Sequence, residues 1–411
     1  MKYIVILGDG MADYKLPELG GQTPLQYAKT PNLDRLAQMS QLGLARMVPP
    51  GMHPGSDIAN LSVLGYDPHQ YYTGRSPLEA VSLGINMEPT DIAFRCNLVT
   101  LSDEVAYADK TMLDYSSDEI STAEAAVLIE AINQELGTEK LVFYPGISYR
   151  HALIWKDGHS DFDLTPPHDI SGRPIAEYLP KGAQSEILFE MMQKSCRILT
   201  DHPVNQARIR QGHGPANSIW LWGQGKKPAL PAFKDRYGLN GSVVCAVDLI
   251  KGLGLCAGLR AVAVSGATGG TVTNMRGKAE ASLEQLKQGQ DFVFLHVEAP
   301  DEAGHQGDLA LKVKTIEEFD EKVIGVIQQG LEESGGTPGM EDYCLLILPD
   351  HPTPISIKTH APDPVPFMLY RRSQPQETTA TGYDEDSAGQ TGLRFESGHQ
   401  LMEYFINCGK G

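Results

Sequence analysis

Long apolar runs are missing from this 411-residue sequence. The purest, Tyr3 to Leu7 and Cys344 to Leu348, fall far short of the roughly 20 residues a helix needs to cross a bilayer. The first is also too short for the apolar core of a secretory signal. Basic residues are in deficit: 34 Lys and Arg face 52 Asp and Glu, a formal net charge of -18. A nucleic-acid binder is excluded on that ground, because phosphate backbones select basic surfaces. Cysteine is scarce. The six residues Cys96, Cys196, Cys245, Cys256, Cys344 and Cys408 form no C-x-x-C pair. A disulfide framework and a zinc ribbon are excluded, and reduced thiols of a cytoplasmic protein are expected. No internal repeat, heptad seam or low-complexity tract is present. No Gly-x-x-x-x-Gly-Lys-Ser/Thr loop occurs either, which removes the commonest nucleotide cradle.

What is present alternates. Tyr3 to Leu7 runs into Gly8-Asp9-Gly10, Arg260 to Val264 into Ser265-Gly266, Phe292 to Val297 into Glu298-Ala299-Pro300-Asp301, and Tyr343 to Leu348 into Pro349-Asp350-His351. Short, fully apolar segments of this kind are strands buried on both faces of a parallel sheet. Helical patterns over Lys278 to Lys287 and Leu309 to Gln329 intervene. The expectation is an α/β fold, a parallel sheet with helices on both faces. Residues 71–252 read differently, richer in Pro, Gly and aromatics, and hold all three tryptophans (Trp155, Trp220, Trp222). They are expected to form a smaller α+β domain inserted into a core made of residues 1–70 and 253–411. The polar stretch Ser373 to Thr391 is expected to be a surface loop.

Ligands of open α/β sheets gather at the C-terminal ends of strands, and chemistry-bearing residues recur there. Asp301 and His305 lie four apart in Asp301-Glu302-Ala303-Gly304-His305, on one side of a helical turn. Asp350 and His351 follow a strand directly, and His360 comes nine residues after His351. Asp9 ends the first strand. Each alone is commonly a cap or a surface residue. Together they make three carboxylates and three imidazoles at one predicted edge, a donor set suited to Mn²⁺, Zn²⁺ or Mg²⁺, with the histidines arguing against an all-Mg²⁺ site.

Pro54-Gly55-Ser56-Asp57 precedes the apolar helical pattern Ile58-Ala59-Asn60-Leu61. A serine there can cap the helix, its commoner use. It can also be a nucleophile at a helix N-terminus, where the dipole favours anions and a nearby metal lowers the hydroxyl pKa.

Taken with Thr30-Pro31-Asn32-Leu33-Asp34, Leu64-Gly65-Tyr66-Asp67-Pro68, Ala93-Phe94-Arg95-Cys96-Asn97, Tyr149-Arg150-His151, Pro167-His168-Asp169 and Ile219-Trp220-Leu221-Trp222-Gly223, these motifs resemble the archaeal-type cofactor-independent phosphoglycerate mutases of the alkaline-phosphatase superfamily. The likeness runs nearly end to end. It implies two divalent metals, usually Mn²⁺, one held by Asp9, Ser56, Asp350 and His351, the other by Asp301, His305 and His360. It implies a phosphoserine intermediate on Ser56, and an inserted domain that closes over a small phosphorylated substrate. Arginine and lysine are the residues for phosphate and carboxylate recognition. Arg95, Arg150, Arg173 and Lys278 are the candidates, with His151 as proton carrier. An oligomer is compatible with the sequence, and no membrane or nucleic-acid partner is expected.

One segment departs from the family. Where archaeal mutases resemble one another in Asp-Arg-Arg-Ala-Gly-Arg, this chain has Asp114-Tyr115-Ser116-Ser117-Asp118-Glu119. The segments 165–170 and 220–225 resemble a bacterial branch proposed to be homoserine kinases. A kinase taking homoserine and ATP, with Ser56 as the relay and Asp118 and Glu119 facing the amino group, therefore stands beside the mutase reading. A metal-dependent phosphatase is the third alternative.

Overall fold

A computed structural model describes residues 1–334 and 339–409. The chain forms two compact units, residues 1–72 with 230–411 and residues 73–229.

The first unit is built on an eight-stranded sheet. In spatial order its strands are Arg260–Val262, Gly241–Val244, Phe292–Val297, Lys2–Gly8, Tyr343–Leu348, Val365–Arg371, Gln41–Ala45 and Arg394–Phe395. The first five are mutually parallel; Val365–Arg371 runs antiparallel to both its neighbours, so the sheet is mixed rather than wholly parallel. Lys2–Gly8 is buried along its whole length at the centre. Ile4 and Ile6 join a core with Val293, Leu295, Leu345 and Ile347 and with helix residues such as Leu283, Ile316 and Phe319. On the opposite face Tyr3 meets Phe405 of the helix Gln400–Cys408 edge-to-face. Helices thus cover both faces, as expected for strands with no polar side.

Residues 230–252 belong to this unit and not to the insert. The reason is the strand Gly241–Val244, which pairs parallel with Phe292–Val297. The expected helix Leu309 to Gln329 is interrupted by a π turn, Asp320–Ile324. The stretch expected to be a surface loop contains the helix Glu385–Gln390 and the fully buried Tyr383. The Tyr383 hydroxyl donates to the Pro366 carbonyl at 2.8 Å, anchoring the segment.

The second unit has an antiparallel sheet in which Ile92–Leu101 lies between Arg150–Trp155 and Ser218–Lys226, flanked by Leu141–Ile147 and Met112–Asp114. The helices Thr122–Leu136 and Ser185–Thr200 bury Leu128, Ile129, Leu188 and Met192 in a core of their own with Phe94, Leu153 and Trp220. Among the described residues no helix is long and apolar enough to cross a membrane.

Candidate active site

Three neighbouring strands deliver the first unit's polar residues to one edge. Lys2–Gly8 ends at Asp9, Phe292–Val297 leads into the helix Ala299–Gln306 that carries Asp301 and His305, and Tyr343–Leu348 ends at Asp350 and His351. The connection to Val365–Arg371 supplies His360. Gly10 makes the close approach possible: its φ is +59°, and a Cβ there would lie 2.7 Å from Asp301 Cα.

Ser56 begins the helix Ser56–Val63, with Gly55 as the residue before it and no side-chain cap bond. Its hydroxyl is therefore not spent on capping. Ser56 Oγ lies 3.1 Å from His351 Nε2. Asn60, one turn on, donates to the Ser56 carbonyl and to Asp350 Oδ2, each at 2.8 Å. Asp350 Oδ1 accepts from the backbone N–H of His351 at 3.0 Å and of Gly10 at 3.3 Å. His351 Nε2 is 3.3 Å from Asp350 Oδ2 and 3.6 Å from Asp9 Oδ1. Beside this group, Asp301 Oδ2 lies 3.2 Å from His305 Nε2 and its Oδ1 lies 3.4 Å from His360 Nε2. The two expected donor sets are thus adjacent.

The geometry suits cations. His305 Nδ1 lies 3.1 Å from the Lys358 carbonyl and His360 Nδ1 2.7 Å from the Pro54 carbonyl. Donation from Nδ1 leaves Nε2 as the lone-pair atom, the tautomer that metal ligands use. Those two Nε2 atoms are 2.9 Å apart. Two lone pairs at that separation need a proton or a cation between or beside them. Asp9 Oδ1 is buried and has no hydrogen-bond partner. Burial, with Asp350 and Asp301 as like charges, raises the Asp9 carboxyl well above the usual range. Burial also opposes ionisation of Asp301, but the His305 and His360 rings, when protonated on Nε2 as well as Nδ1, donate to it, outweigh burial and hold that carboxyl well below the usual range. His305 is pushed up to about 9, first by its bond to Asp301. Three carboxylates crowded at a sheet edge with imidazole nitrogens among them fit divalent ions bound through oxygen and nitrogen.

The second unit gathers another set. Arg95, largely buried on Ile92–Leu101, is 3.1 Å from Glu79 Oε2, and its guanidinium lies 4.5 Å above the Trp222 ring. Arg75 pairs with the other Glu79 oxygen at 2.8 Å. Arg150 stacks over Tyr149 at 4.9 Å and is close enough, with Arg75, to depress the Arg95 pKa after burial has done so. Three guanidiniums around one carboxylate leave a positive surplus. Arg173, by contrast, is exposed and donates to the Tyr178 hydroxyl at 3.4 Å. His151 is buried beside this strand pair. Its Nδ1 accepts from the Gly146 N–H at 2.9 Å, and burial lowers its pKa to about 3. It is a neutral ring with the proton on Nε2, which does not suit it to accept one there. Lys278 does not serve as a substrate ligand as it stands: it is fully buried and donates to Glu298 Oε2 at 2.6 Å and to the His296 carbonyl at 3.0 Å. Asp118 is engaged as well, 2.6 Å from His213 Nδ1. Residues that sequence reasoning passed over are Asn60, His296, Glu298, Thr353, Arg75 and Glu79. Asn60 carried a signal in its four-residue spacing from Ser56, and Glu298 in its place directly after the strand Phe292–Val297.

A family model described as 2,3-bisphosphoglycerate-independent phosphoglycerate mutase matches residues 37–205. A Geobacter sulfurreducens protein named probable 2,3-bisphosphoglycerate-independent phosphoglycerate mutase is 51% identical over 99% of this chain and 100% of its own length. The 2,3-bisphosphoglycerate-independent phosphoglycerate mutase of Methanosarcina barkeri is 50% identical over 99% of this chain and 100% of its own. The solved structure of a cofactor-independent phosphoglycerate mutase from Thermoplasma acidophilum superposes with a TM-score of 0.67 at 27% identity, covering 99% of this chain and 100% of that one. Identity of this order over whole chains places the present chain in the family of 2,3-bisphosphoglycerate-independent phosphoglycerate mutases.

Proposed function

We propose that this chain is a metal-dependent phosphoglycerate mutase of the cytoplasm, interconverting 3-phosphoglycerate and 2-phosphoglycerate through a phosphoserine on Ser56. The observation that carries the reading is the uncapped Ser56 hydroxyl at a helix start, 3.1 Å from His351 within the Asp9–Asp350 group. Asp9, Ser56, Asp350 and His351 would hold one divalent ion and Asp301, His305 and His360 the other; the donors suit Mn²⁺, Zn²⁺ or Mg²⁺, and the family resemblance favours Mn²⁺. Bound there, the ions would supply Lewis acidity for the serine hydroxyl and the phosphoryl oxygens.

Ser56 Oγ gives up its proton and attacks phosphorus, the bond from phosphorus to the substrate oxygen breaks, and that oxygen takes up a proton. The neighbouring hydroxyl of the same glycerate then loses its proton and attacks phosphorus, the bond from phosphorus to Ser56 Oγ breaks, and Ser56 Oγ takes up a proton again. The helix start beneath Ser56 favours the transferring anion. Arg95 and Arg150 are assigned to recognition of an anionic group, phosphate or carboxylate, which guanidinium groups fit well.

The test sets Mn²⁺-loaded protein with 3-phosphoglycerate beside the same protein with homoserine and ATP, and follows inorganic phosphate in both. Formation of 2-phosphoglycerate in the first is expected. Phosphohomoserine in the second, with no mutase product, would replace the mutase reading by the kinase one. The engagement of Asp118 by His213 supports the mutase, since it occupies a carboxylate that the kinase reading would use for an amino group. Release of phosphate without isomerisation would make the chain a phosphatase.

A further inference from the structure

Behind Asp9 lies a line of buried charge that the transfer chemistry leaves unused. His296 Nε2 is 3.1 Å from Asp9 Oδ2, an ion-pair contact lying off the hydrogen-bond line. On the other side of the ring, Nδ1 is 3.0 Å from Glu298 Oε1. Glu298 Oε2 accepts from Lys278 Nζ at 2.6 Å, and its Oε1 accepts from the Ala246 N–H at 3.4 Å. Lys278 also donates to the His296 carbonyl at 3.0 Å, which closes the line onto the strand it started from. His296 and Lys278 are wholly inaccessible, Glu298 is 3% exposed and Asp9 4%.

Charges so deep cost several kcal/mol each unless paired. Here the signs alternate, carboxylate, imidazole, carboxylate, ammonium, and each member has its partner. The far end does not reach the site. What the line does at its near end is fix one oxygen of Asp9, Oδ2, while Oδ1 stays buried with no hydrogen-bond partner and faces His351. Asp350 is divided in the same way only by backbone and amide donors, and Asp301 by Thr353 and two imidazoles. A buried ammonium stands behind Asp301 too, Lys312, but it pairs with Asp13 at 2.8 Å and reaches Asp301 only through the Thr353 backbone, so the His296, Glu298 and Lys278 line serves Asp9.

We propose that His296, Glu298 and Lys278 are positioning residues, a rigid line that orients Asp9 for the ion assigned to Asp9, Ser56, Asp350 and His351 and leaves the ion at Asp301, His305 and His360 to other supports. This rests on the metal reading of the site above. Outer partners of metal ligands typically change affinity by 10- to 100-fold.

The test is calorimetric titration of the metal-free, full-length protein with Mn²⁺. Asp9→Asn and His305→Ala mark which binding event belongs to which donor set. The double variant Glu298→Gln/Lys278→Met removes one charge of each sign, so no ion is left buried alone. It should weaken the event lost in Asp9→Asn by about ten-fold or more and leave the event lost in His305→Ala within two-fold. Equal weakening of both events, or no change in either, overturns the proposal, because a merely structural role would not discriminate between them. Should the double variant fail to fold, His296→Asn carries the same comparison. If Asp9→Asn itself leaves both events intact, the assignment of Asp9 to a metal fails first, and the positioning line with it.

Discussion

Ser56 sits one position inside its helix, and that offset frees its hydroxyl. The sequence allowed both a cap and a nucleophile; the backbone puts Gly55 in the cap position instead. Ser56→Ala should abolish transfer while unfolding within about 0.5 kcal/mol of the parent, as a surface-side truncation does. A stopped assay with 3-phosphoglycerate and a denaturant melt check both halves. Asp9, Asp301, His305, Asp350, His351 and His360 were legible because strand-end placement is written in the order of apolar run and polar residue. Lys278 was not: its partner Glu298 is twenty residues away, and nothing local says that both turn inward. Glu385 is a second case. Burial pushes its carboxyl up to about 7, while Thr23 Oγ1 donates to it at 2.7 Å. The folded state therefore holds this proton more tightly than the unfolded chain. Its stabilising contribution is complete below the ordinary carboxylic range and fades as pH rises through about 7. Glu385→Gln stays neutral throughout, so the fall in melting temperature from about pH 5 to about pH 8 should be smaller than in the parent. A fall as large as the parent's would contradict this.

At the scale of elements, the helix Pro31–Ala37 has no cap of its own. Thr30 makes no capping bond, and the free N–H groups of Leu33 and Asn32 are met at 2.7 and 3.2 Å by the Asp320 carboxylate. Asp320 begins the π turn that breaks the expected long helix, and that break brings the carboxylate to the helix start. Asp320→Ala should cost about 1–2 kcal/mol, the usual loss of a cap, read from denaturant midpoints. Periodicity reported this helical pattern correctly but could not report the extra residue in one turn, whose cause lies across the fold. Gly10 is the other element-scale constraint. A methyl group there would meet Thr353 Oγ1 at 2.5 Å and the Asp301 backbone at 2.7 Å, at a positive φ. Gly10→Ala should destabilise by roughly 1–3 kcal/mol and weaken Mn²⁺ binding at Asp301, detectable by calorimetry.

The whole molecule is an insertion within a sheet domain. Composition sets the expected insert's start at residue 71, where aromatic and Pro-rich sequence begins, and the second compact unit starts at Thr73. The expected end at residue 252 lies beyond that unit's end at Ala229, because Gly241–Val244 is a short strand whose place shows only in its pairing with Phe292–Val297. Residues 73–229 bury a core of their own around Phe94, Leu153 and Trp220. Expressed alone, they should melt in one cooperative transition with no response to Mn²⁺. A broad, non-cooperative melt would count against their independence.

The central strand has a further consequence for synthesis. Lys2–Gly8 is synthesised well before both its neighbours, which begin only at Phe292 and Tyr343. Until they are made, this strand, buried along its whole length in the fold, has no edge to join. The long sequence separation makes its pairing slow and exposes it to competing contacts. The insert, whose contacts lie within residues 73–229, can complete its own fold in that interval. A nascent chain should therefore carry a finished second unit ahead of an unformed catalytic sheet, with Asp9 waiting for Asp350 to be made.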